Sequence, residues 1–211
     1  QMNLLLQRCS SCNDNEDSIL YGYLIHSAVH VLDTYDIENI SDIAHMNDTG
    51  LWCVEYAYTH GLNVPTMHSA VQARYTSKVQ KDKSKQRRNT NVNIDAAYDM
   101  LRFVFALAVL EGISLIQHKQ ISLNKARKAW SKATIIECPM VTYETTKLQN
   151  ITNESVYKAR IMLLECVRNG VPVPSLSAGI QYHDFINQGK TQMSFLMAQR
   201  NYFGQHAIKV Q

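Results

Sequence analysis

Charge is scarce in this chain. Charged types make up 18% of its 211 residues, against roughly 25% in an average soluble domain. Apolar types reach 45%, a balance that excludes intrinsic disorder. Four Pro and eight Gly are too few for a Pro/Gly-rich fibrous chain. The longest apolar stretch, Phe103 to Leu110, is far short of the ~20 residues a membrane-spanning helix needs. Five Cys (Cys9, Cys12, Cys53, Cys138, Cys166) are too sparse and too odd in number for a disulfide framework. Lys and Arg exceed Asp and Glu by three, which by itself marks no nucleic-acid binder.

No basic segment followed by an apolar run opens the chain, so no signal peptide is visible. The chain starts at Gln1, which leaves a removed leader open. Glycosylation sequons start at Asn39, Asn47, Asn150 and Asn153, where chance gives about two. An intracellular setting is favoured, and the sequon excess keeps a secreted one in view.

What is present is helical periodicity. Leu24, Ala28, Val31 and Leu32 share one face of a helix over 19–32. A second helix is expected over 51–59, stopped by Gly61 and Pro65, and a third from His68 toward Arg88. Asn93 reads as the N-cap of the longest helix, 94 to about 118, whose apolar centre predicts full burial. Asn153 reads as the cap of a further helix with Val156, Ala159, Leu163 and Val167 inside. Arg168-Asn169-Gly170 followed by Pro172 is a C-terminal stop. Helices over 176–186 and 195–203 follow. With no alternating strand pattern and no visible internal repeat, the expectation is a single all-α helical bundle with an extended C-terminal tail.

Three constellations could carry chemistry. Cys9-x-x-Cys12 and His26-x-x-x-His30 have the count and spacing of a Cys₂His₂ zinc site. The polar linker Asn13-Asp14-Asn15-Glu16-Asp17 lacks a finger's apolar positions, so no metal is assigned. Lys78, Lys81, Lys83, Lys85, Arg87 and Arg88 form a basic run that could dock on phosphates, but reads first as a solvated helix end without interleaved aromatics. Cys53, Cys138 and Cys166 read as ordinary buried thiols. No Gly-x-Ser-x-Gly marks a nucleophile.

The end of the chain is more specific. Gly170-Val171-Pro172-Val173-Pro174, a helix containing Tyr182, and Ala198-Gln199-Arg200-Asn201-Tyr202-Phe203-Gly204-Gln205-His206 resemble the C-terminus of 6-phosphogluconate dehydrogenase. Gly50-Leu51-Trp52, Tyr58, Gly61, Val64-Pro65, Ala70-Val71-Gln72-Ala73-Arg74, Glu111-Gly112 and Tyr21-Gly22 extend the resemblance from about Asp17 to His206. It is weak over 122–152, and a stretch between His45 and Gly50 is missing. The resemblance implies an N-terminal extension (1–16), an all-helical dimerising domain (17–190) and a tail (191–211) that reaches the partner subunit's site. It assigns Arg200, His206 and Tyr21 to sugar-phosphate contacts, and places Tyr202 and Phe203 at the interface.

The chemistry of that family does not carry over. No Gly-x-Gly-x-x-Gly for a dinucleotide occurs in these residues. With Tyr21-Gly22 setting the register, the family's Lys falls on Asn13, its His-Asn pair on Glu16-Asp17, and its Glu on Leu20. Asn does not titrate and Leu holds no proton, so base and acid are both missing. Two phosphate-binding cations fall on Gln80 (beside Lys81) and Tyr98. The expectation is a non-catalytic relative, with no catalytic residues and no cofactor, acting as a homodimer or assembly scaffold. The alternatives are a sugar-phosphate-binding protein without turnover, or an NADP-dependent dehydrogenase completed by another chain.

Overall fold

In a computed structural model the described residues are 2–10, 20–79, 93–132 and 135–205. They contain nine α-helices and no strand. These are α1 (Met2–Ser10), α2 (Tyr23–Thr34), α3 (Thr49–Thr59), α4 (Pro65–Ser77), α5 (Ile94–His118), α6 (Leu123–Trp130), α7 (Thr145–Arg168), α8 (Pro174–Asn187) and α9 (Met193–Gly204). Among the described residues no helix is long and apolar enough to cross a membrane.

The axis of the bundle is α5, packed lengthwise on α7 and flanked by α1, α4, α6 and α8. Asn93 caps it, its Oδ1 accepting the Ala96 N–H at 3.0 Å. Phe103, Ala106 and Leu107 are fully buried in the main core, with Met140, Leu148 and Ala159. Full burial of α5 is not what forms, however. Val104, Phe105, Val109 and Leu110 are only half covered, because neighbouring helices close over part of its circumference. A smaller core of Val54, Ala57, Val64, Val71 and Leu115 joins α3 and α4 to the far end of α5.

Two helix–turn–helix units repeat, which the sequence did not disclose. In α3–α4 and α7–α8 the first helix ends in a left-handed glycine, Gly61 (φ 67°) and Gly170 (φ 63°). The next residue then donates back five positions, Leu62 to Ala57 and Val171 to Cys166, both at 2.8 Å, which is the Schellman pattern. Four residues beyond each glycine a proline starts the second helix, Pro65 and Pro174, where its missing N–H costs nothing. The paired helices α4 and α8 pack together, and Ser175 Oγ donates to the Thr66 carbonyl at 3.2 Å. Only the turn chemistry repeats; the packing faces differ, so no periodic sequence results.

Several helix assignments change, and α4 runs Pro65–Ser77 instead of from His68 toward Arg88. Helix α2 turns Ile25 inward (6% exposed), with Ala28, Val29 and Leu32 packed beside it. Leu24 and Val31 face out, since the i, i+3, i+4, i+7 set starting at Ile25 makes the continuous stripe. Helix α7 begins at Thr145, two turns before Asn153. The buried stripe Leu148, Ile151, Thr152 and Ser155 draws those turns into the helix, and Asn153 is an interior residue rather than a cap. Val167 is 66% exposed, because Met162 and Cys166 occupy the inward positions. The weakly patterned segments produced α6 and α1, which sequence periodicity left out. Helix α1 contributes Leu5 and Cys9 to the main core.

Candidate functional site

The Tyr21-Gly22 step enters α2 beneath the 137–138 segment. The N–H of Tyr23 donates to the Glu137 carbonyl at 3.2 Å, and the His26 N–H to that of Gly22 at 2.9 Å. This approach is why residue 22 is glycine: a Cβ there would lie 1.8 Å from the Glu137 carbonyl oxygen. Tyr21 is therefore held at the mouth of an open cavity of about 540 Å³ with Tyr23, His26, Ser131, Glu137 and Thr142. Among the described residues neither Lys nor Arg lines it. Leu20, where the resemblance puts the acid, is 1% exposed and part of the apolar core. Asn13, Glu16, Asp17, Gln80 and Lys81 lie outside the described residues.

Tyr98 is 3% exposed in the main core. Its ring is met by the Arg8 guanidinium at 5.0 Å and by that of Arg102 at 6.0 Å. Both guanidiniums are paired, Arg8 with Asp95 at 3.0 Å and Arg102 with Asp99 at 3.1 Å. The tyrosine thus packs where the resemblance puts a phosphate-binding cation, and the nearby charges are committed to carboxylates.

The tail residues stand apart from this cavity. Arg200, Tyr202 and Phe203 lie on α9, none of whose residues is buried. Tyr202 is 86% and Phe203 79% exposed, their rings edge to face at 5.9 Å. No α9 residue lines the Tyr21 cavity, so Tyr21 and Arg200 are not brought together within one chain. His206 lies outside the described residues.

Of the cysteine–histidine set, Cys9, His26 and His30 fall among the described residues. Cys9 is fully buried, and burial pushes its thiol up to about 11, slightly offset by Arg8, which disfavours the thiolate a metal requires. His26 and His30 are exposed on α2, and Cys12 lies outside the described residues. Cys138 and Cys166 are buried thiols, whereas Cys53 is half-buried. Of the basic run, Lys78 is exposed, with its ammonium 5.7 Å from the Tyr75 ring; the others fall outside the described residues.

One buried acid carries structural weight that the sequence reading did not give it. Glu111 on α5 is 3% exposed. Its Oε1 accepts the Thr66 N–H at 2.8 Å and its Oε2 the Met67 N–H at 3.0 Å. A carboxylate on one helix thereby closes the N-terminus of another. The available signal was a lone acid inside the apolar run of α5.

Together these features define an all-helical domain built on two glycine–proline helix turns, with an apolar helix projecting from its end. A model of the family "6-phosphogluconate dehydrogenase, C-terminal domain" matches residues 12–211. The chain belongs to that family. It is 24% identical over 207 residues to a decarboxylating 6-phosphogluconate dehydrogenase of Synechococcus elongatus, covering 82% of this chain and 44% of the relative. A second Saccharomyces cerevisiae enzyme of that description is 28% identical over 209 residues, covering 82% and 42%. The Plasmodium falciparum 6-phosphogluconate dehydrogenase structure superposes on the whole chain with a TM-score of 0.83 at 19% identity, covering 52% of that enzyme. The chain spans less than half the length of these curated relatives.

Proposed function

We propose that this chain is a non-catalytic 6-phosphogluconate dehydrogenase-like domain, a pseudoenzyme module that self-associates and serves as an interaction scaffold. The observation that carries the reading is α9. Met193, Phe195, Leu196, Met197, Tyr202 and Phe203 are each at least 41% exposed, and their own chain buries no residue of that helix. Burying one such side chain gains roughly 1.5–3 kcal/mol, so this helix favours docking on a second copy. The absence of chemistry rests on Leu20, an apolar core residue at the acid's position, and on Asn13 at the base's. A helical core needs only apolar spacing to persist, whereas turnover needs the residues that are lost. No cofactor enters this reading.

Truncation before Phe195 tests it by light scattering. Conversion of a dimer to a monomer is the expected result, and an intact dimer after truncation overturns the tail's role. The sugar-phosphate reading with Tyr21, Arg200 and His206 then requires α9 of one copy to reach the Tyr21 cavity of another. Calorimetry with 6-phosphogluconate separates the two: no heat at millimolar ligand leaves the scaffold alone.

A further inference from the structure

A second cavity, away from Tyr21 and α9, is rich in carboxamide side chains. It is a cleft of about 520 Å³ between the α3–α4 turn, the second half of α5, the first half of α7, and α8. Six carboxamides line it: Asn63, Gln117, Gln149, Asn150, Asn153 and Asn187. Its floor holds Glu111 and His183, 3% and 7% exposed, with Tyr182 half-buried beside them. Among the described residues neither Lys nor Arg lines it.

Much of this hydrogen-bonding capacity is unspent. Asn63, Gln117, Gln149 and Asn150 direct no side-chain hydrogen bond to another described residue. Asn153 Oδ1 accepts from His183 Nε2 at 3.0 Å, leaving its NH₂ free. Asn187 donates one N–H to the His183 carbonyl at 2.8 Å, leaving its Oδ1 free. His183 Nδ1 is buried without a hydrogen-bond partner, and the phenol of Tyr182 has none among the described residues. Each amide offers two donors and an acceptor with two lone pairs. The cleft thus presents both senses of hydrogen bond around an aromatic ring.

We infer that this cleft binds an uncharged, hydroxyl-rich small molecule of about monosaccharide size. Its volume lies in the range of small-ligand sites. Hydroxyls both donate and accept, as the amides do, and an apolar ring face can lie on Tyr182. A phosphorylated or carboxylated ligand is disfavoured, because an anion there would face Glu111 with no Lys or Arg among the described lining residues to receive it. The specificity is thus opposite to that of a sugar-phosphate site, and it does not depend on self-association.

Titration of the full chain with D-glucose and with D-glucitol, followed by side-chain NH₂ resonances in ¹⁵N–¹H spectra, tests the inference. Saturable shifts of the Asn and Gln signals of this cleft are expected with at least one of them, with 6-phosphogluconate leaving those signals in place. Tyr182→Phe and Asn187→Ala, each retaining the wild-type melting temperature, are expected to weaken binding about ten-fold. The inference is overturned if neither polyol gives a saturable shift at tens of millimolar. It is equally overturned if the phosphorylated sugar shifts the same signals, or if both folded variants bind as well as wild type.

Discussion

Glu111 caps α4 from across the bundle: its Oε1 accepts the backbone N–H of Thr66 at 2.8 Å, forty-five positions away in the chain. This bond, with its partner to Met67, ties the α3–α4 unit to the central helix. Glu111→Ala leaves two N–H groups orphaned and is expected to cost about 2 kcal/mol in urea unfolding.

The same carboxylate gives a pH dependence. Burial pushes the Glu111 carboxyl above its usual range, partly opposed by the hydrogen bonds from Thr66 and Met67. A group whose folded pKa is raised stabilises most below its unfolded pKa, and that contribution is lost as pH rises through the folded value. The stability of wild type minus that of Glu111→Gln is therefore expected to fall between acid and neutral pH. Urea titrations of both proteins across that window check the sign, and a difference that grows with pH contradicts it.

Gly22 and Gly179 test close packing at two strengths. An Ala at 22 would thrust its Cβ against the Glu137 backbone carbonyl at 1.8 Å, where nothing flexible can yield. An Ala at 179 would meet only the side-chain ends of Leu107 and Thr66 at 3.0 Å. Thermal unfolding is expected to show a loss of about 3 kcal/mol for Gly22→Ala and about 1 kcal/mol for Gly179→Ala. Equal losses would mean that the 137–138 segment does not press on residue 22.

The repeated turns predict matched penalties. Gly61→Ala and Gly170→Ala each force a Cβ into a left-handed backbone, at about 1 kcal/mol apiece. Denaturant midpoints of the two variants should shift by similar amounts.

Tyr202→Ser with Phe203→Ser addresses the exposed tail without touching the core. If α9 joins copies, the wild-type melting temperature rises with protein concentration while that of the double variant stays flat. Parallel concentration dependence in both contradicts the assignment of these rings to an interface.

Helix type and order were largely readable because apolar spacing carries them. Asn93, the bounds of α5 and the Gly170 stop were written locally and appear as expected. The start of α7 was not readable. A capping-type residue, Asn153, sits at a position where tertiary burial of Leu148 and Ile151 overrides its local preference. Leu24 was misassigned to the buried face of α2 because two apolar stripes on that helix differ by one residue. For the site, the proposed loss of acid and base rests on Leu20 and Asn13, residue types that cannot perform the chemistry, at positions the resemblance alone assigns. The Glu111 cap and the amide cleft were not, since each unites residues from distant helices and no linear spacing records such a meeting.

The proposed absence of turnover is open to direct measurement on the protein purified from its native source, in whatever complete form it occurs there. Incubated with NADP and 6-phosphogluconate, it is expected to give no rise in reduced-nicotinamide absorbance above a protein-free blank. A steady, substrate-dependent rise in a preparation free of other dehydrogenases would contradict the account.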